Sequence, residues 1–174
     1  MTPARNLILG LMVTLVFAVG AQAQSKSADK DSQKFIKSAI EGNLAEIDVG
    51  KLAEQKAKSE EAKKFGQMLV SDHSKANADA KAAASQVGVE PPSGSSISQK
   101  ATYAKLKLLT GDAFDKSFAS SMVSDHESDI KEYQKAAAKN DAVGQYAKQA
   151  LPTLQKHLQE AKSLQQQLNQ HASK

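Results

Sequence analysis

Small and apolar residues recur at alternating spacings of three and four along four long stretches, with one proline- and glycine-rich break between the second and third. That period matches the 3.6-residue turn of an α-helix, not the two-residue repeat of a strand. The first helix is predicted over residues 32–58, with Ser32 as N-cap and Phe35, Ala39, Gly42, Glu46, Val49 and Ala53 on one stripe. The second restarts at Ser59, where serine caps and Glu60 and Glu61 favour the positive helix end, and it runs to Gln86. Residues 87–98 hold Gly88, Pro91, Pro92 and Gly94 and read as loop, followed by a short helix over 98–109. The third long helix opens at Asp112 and ends near Asn140. The fourth reaches Leu168, with Pro152 either kinking it or marking its true start, and the tail 169–174 frays.

Helices of about 26–29 residues are about 40 Å long at 1.5 Å per residue. The alanines on their stripes permit close axial packing, so the expected fold is all-α, a four-helix bundle. Tight joins make helices one and two, and three and four, antiparallel pairs. The 25-residue connector between Val87 and Gly111 is long enough to run the length of the bundle. A crossover of that kind, here carrying a short helix between helices two and three, marks a ferritin-like arrangement.

Residues 1–23 stand apart from this pattern. Arg5, an apolar run from Leu7 to Val19 and then Ala21-Gln22-Ala23 have the order of a cleavable secretory signal. The run is shorter than the roughly 20 residues a membrane span needs. Export to the periplasm or cell envelope is expected, with a polar, disordered lead over 24–31. With no span after cleavage, only peripheral envelope association or self-association is left as a mode of attachment. A formal charge of +4 over 174 residues, with lysines interleaved among acids, is no nucleic-acid footprint. With no cysteine, the chain has no thiol nucleophile, disulfide framework or iron–sulfur cluster.

The chain also echoes itself. Val-Ser-Asp-His occurs at 70–73 and again at 123–126, and Phe65 and Phe118 keep the same 53-residue offset. His73, His126 and His157 each lie on the stripe of their own helix, and Glu46 lies on that of the first. All four sit about 12–15 residues from the nearest tight turn, which places them within about one helical turn of a common level. One Glu and three His meeting in a bundle core have the residue types of a site for Zn, Cu, Mn or Fe. The plainer reading is three core histidines satisfied by neighbouring carboxylates or carbonyls. Asp72 and Asp125, next to two of them, point about 100° away, toward other helices. Met68 and Met122 precede the repeated histidines and read as core filling rather than copper ligands.

The signal, Met-Leu-Val-Ser-Asp-His at 68–73, Gly111-Asp112-Ala113-Phe114-Asp115 and Leu151-Pro152 with His157 carry a resemblance. They resemble an uncharacterised family of bacterial exported ferritin-like proteins, whose members are labelled predicted outer-membrane proteins with a domain of unknown function. The resemblance spans about residues 33–164 and implies a bundle at the envelope, with no established enzymatic activity. The chain departs from di-iron bundles: the residues three before His73, His126 and His157 are Val70, Val123 and Leu154, so no Glu-x-x-His is present. No catalytic motif for nucleophilic or phosphate chemistry occurs either. The first expectation is an exported, non-enzymatic binding or support protein of the envelope, with a role in stress tolerance. The alternative is a metal-binding or metal-buffering protein using Glu46, His73, His126 and His157.

Overall fold

The computed structural model describes residues 29–171. Five helices follow one another: α1 (Lys30–Lys56), α2 (Glu60–Gln86), α3 (Ile97–Lys107), α4 (Gly111–Ala137) and α5 (Ala142–His171). No strand occurs among the described residues. The expected signal at 1–23, most of the lead and residues 172–174 lie outside them.

Helix boundaries follow local hydrogen-bonding chemistry. Ser59 caps α2 by accepting from the Ala62 amide, as its position predicts. The start of α1 differs from the expectation. Asp29, not Ser32, is the N-cap, and it accepts from the Ser32 amide at 2.8 Å while Lys139 holds its other oxygen at 2.8 Å. The last residues of the supposed lead, Lys30 and Asp31, are therefore helical. Ser32 instead turns its hydroxyl to Asp141, 2.8 Å away, which also caps the start of α5 through the Gly144 amide. Ser96 and Gln99 form a reciprocal capping box that starts α3. Pro152 does not mark the start of α5, which begins ten residues earlier. Pro152 and Lys148, whose carbonyl the proline leaves without an amide partner, are both exposed. The helix also continues past Leu168 to His171, so the predicted fraying does not begin at 169.

Two apolar clusters show the direction of each helix. One joins Ile36 and Ile40 of α1, Ala80 and Ala84 of α2, Tyr133 and Val143. The other joins Leu52, Phe65, Leu106, Phe114, Phe118 and Leu164. Helix α2 therefore runs from the second end toward the first, and so does α4, while α1 and α5 run the other way. Because α2 and α4 run parallel, on opposite corners of the bundle, the connector between them must travel its whole length, with α3 lying along it. That is the crossover the sequence predicts.

The α1–α2 and α4–α5 pairs are tightly packed, whereas α1 and α4 touch sparsely. The α1–α2 seam closes on two glycines. A Cβ added at Gly66 would lie 2.7 Å from the Gly50 carbonyl oxygen, and one at Gly50 would lie 2.7 Å from that of Gly66. Gly66→Ala is expected to force the helices apart and cost about 1–3 kcal/mol of stability. Urea unfolding checks this, and an unchanged midpoint would show the seam to be slack. At the same end, buried Asp115 accepts from the Lys58 and Ser59 amides at 3.0 and 2.8 Å. That aspartate, part of the Gly-Asp-Ala-Phe-Asp motif, ties α4 to the α1–α2 turn.

Candidate metal centre

The waist between the two clusters is polar. His73 on α2, His126 on α4 and His157 on α5 turn inward there, and their exposures are 4%, 0% and 0%. Ring centroids lie 5.9 Å apart for His73–His126, 5.2 Å for His73–His157 and 5.3 Å for His126–His157. One nitrogen from each ring lies within 4.8 Å of the other two. The parallel course of α2 and α4 is what brings the two copies of Val-Ser-Asp-His to one level.

Each ring is oriented by an acceptor behind it. His126 donates from Nδ1 to the Met122 carbonyl at 2.9 Å. His157 donates from Nε2 to the Asp72 carboxylate at 2.9 Å. His73 donates from Nδ1 to Asn43 Oδ1 at 2.9 Å, and Asn43 is held in that sense by donating to the Tyr146 hydroxyl at 3.0 Å. Tyr146 in turn pairs with Tyr133 at 3.1 Å. The nitrogens that remain are His73 Nε2, His126 Nε2 and His157 Nδ1, and in neutral rings all three carry lone pairs. His126 Nε2 and His157 Nδ1 face each other at 3.3 Å, and His73 Nε2 is buried with no partner.

The rings are neutral near pH 7. Burial pushes His73 well below the usual imidazole range, aided by the other two rings. Burial and the proximity of His157 bring His126 down to about 4. Burial also lowers His157, against the opposing pull of Asp72. Three inward lone pairs, each braced by an outer acceptor, form the donor set of a borderline divalent cation with its orienting shell.

Glu46 is buried at 6% exposure but stands outside this set of ligand atoms. It lines a separate cavity with Asp125 and Asp129, and one of its oxygens has no partner. Burial, then those two aspartates, raise its carboxyl well above the ordinary range. Asn43 and Tyr146 are not among the residues that sequence reasoning singles out. A signal for Asn43 exists: it lies four residues after Ala39 and three before Glu46, on the buried face of α1.

Residues 17–164 match the family described as Domain of unknown function (DUF4142). No curated protein matches the chain. Among solved structures, it is similar to the crystal structure of a DUF305 fragment from Deinococcus radiodurans. The TM-score is 0.71 at 12% identity, over 80% of this chain and 98% of that one. At that identity the likeness speaks to the helical bundle alone.

Proposed function

We propose that this chain, which belongs to the DUF4142 family, binds one borderline divalent cation, Zn²⁺ or Cu²⁺, through His73, His126 and His157. The observation that carries the reading is the facing pair of imidazole nitrogens at 3.3 Å, with both rings already donating outward. Two neutral rings so arranged oppose lone pair to lone pair, and a cation between them turns that repulsion into coordination. Purely imidazole donors suit zinc and copper better than manganese, which takes oxygen ligands. Fully buried rings favour sequestration over turnover, so the reading is a binding or buffering protein and not an enzyme. The sequence pattern of residues 1–23 supports export to the envelope as the place where it acts.

Chelator-stripped, untagged protein titrated with Zn²⁺ should take up one ion per chain, and Co²⁺ should give the intense visible absorption of a low-coordinate site. Absence of stoichiometric uptake of either ion would leave the histidines as packing residues and overturn the proposal.

A further inference from the structure

Helices α1 and α4 diverge enough to leave a cavity of about 240 Å³, roofed by α3. Glu46 projects from α1, Asp125 and Asp129 from α4, and Gln99 from α3. No Lys or Arg lines it. The Glu46 oxygen Oε2 is buried without a partner, and burial with Asp125 and Asp129 holds the carboxyl toward its neutral form. The three carboxylates do not gather closely enough to clasp a bare ion, since the histidines form the one such cluster among the described residues. A cavity lined in this way suits a cation that keeps its hydration water.

A smaller cavity, about 60 Å³, shares Gly42, Gln99 and Asp129 with it and is also lined by His73 and Asn43. A third cavity, of about 110 Å³, reaches His73 from the α2–α5 side, but Lys75 lines it and its Asp72 is already engaged by His157. Only the α1–α4 side offers unengaged carboxylates without an opposing lysine.

We infer that Glu46, Asp125 and Asp129 form a loading chamber that collects a hydrated divalent cation and passes it along the Gly42–Gln99–Asp129 wall to His73. This inference rests on the metal-binding reading of the histidines. In such a route the loading rate is the product of chamber occupancy and a transfer step. Removing chamber charge lowers the first factor and leaves the final coordination alone, so loading and release slow together and affinity stays unchanged.

Stopped-flow uptake of Co²⁺ by the full chain, paired with equilibrium titration, separates the possibilities. Asp125→Asn with Asp129→Asn is expected to load about tenfold more slowly than wild type, within the range of electrostatic focusing. Its equilibrium affinity should stay within about twofold of wild type, and the salt dependence of its rate should flatten. Asp79→Asn, on the third cavity, should load at the wild-type rate. Should the double variant fail to fold, Asp129→Asn alone is expected to slow loading about threefold. The chamber is refuted, with the histidine centre intact, if the variants load at the wild-type rate or if only Asp79→Asn slows uptake. It is equally refuted if rate and affinity fall together, which would make the carboxylates ligands. No equilibrium uptake by the wild type would remove the histidine reading and the chamber with it.

Discussion

Replacing His126 with glutamine is expected to remove most of the stabilisation that zinc confers on the wild-type protein. A cation that binds only the native state stabilises it by RT ln(1 + [L]/Kd), which is about 2.7 kcal/mol at a free concentration one hundred times Kd. For a domain of this size that corresponds to a rise of roughly 5–11 °C in Tm. Loss of an orienting outer partner alone costs about 10–100-fold in metal affinity, and loss of a ligand should cost at least the upper figure. At the same zinc concentration the variant would then gain only about 0.4 kcal/mol. Glutamine retains an amide able to donate to the Met122 carbonyl, which His126 does at 2.9 Å, so the metal-free fold has a route to survival. Asp72→Asn gives an independent reading from the rim. It keeps the His157 contact but loses the carboxylate charge, and affinity should fall about tenfold with stability little changed. Differential scanning fluorimetry with and without zinc measures all three proteins. Equal zinc shifts in wild type and His126→Gln would show that the ion binds elsewhere.

The legibility of this architecture in the chain was uneven, for identifiable reasons. Helix stripes are local, so a 3.6-residue period places His73, His126 and His157 inward whatever the neighbours do. The crossover is nearly local too, because a 25-residue connector between tight hairpins has little else to do. The start of α1 is not local. Asp29 and Ser32 are both good caps, and the choice depends on Lys139 and Asp141, more than one hundred residues away. Glu46 lies on the buried face of α1, yet whether it meets the histidines or looks under α3 depends on how far α1 stands from α4. Asn43 is absent from the predicted stripe of the first helix because that stripe passes through Gly42, one residue and about 100° away. Asp72 acquires its role only once α2 lies beside α5, although its neighbour His73 belongs to a visible repeat. The outer partners of the site are thus the least legible part, since each is set by a contact between helices.

Acid should weaken the metal-free wild type relative to His126→Gln. His126 titrates near 4 in the native protein and near 6.5 when unfolded, because burial disfavours its charged form. Between those values the unfolded chain holds a proton that the native chain does not. The stability tied to this ring is therefore complete above about pH 6.5 and is lost as the pH falls toward 4. A shift of that size corresponds to about 3 kcal/mol in full, of which about 2 kcal/mol should disappear by pH 4.5. Asp129 works in the opposite direction. Burial, Asp125 and Glu132 raise it from 3.8 to about 6, so the native state takes its proton first, and acidification relieves a strain present at neutral pH. Glu46 is raised for the same leading reason and has the same sign. The wild-type curve is consequently flattened by compensation, and the informative quantity is the difference between proteins. Urea unfolding without metal should show the stability of wild type minus His126→Gln falling by about 2 kcal/mol from pH 7 to pH 4.5. The same comparison with Asp129→Asn should move the other way, wild type gaining on the variant as acid is added. A difference for His126→Gln that holds constant across this window would mean the ring exchanges protons freely in the native state. Its nitrogen would then be open to water at pH 7, and the enclosed, neutral donor set that a bound cation requires would not exist.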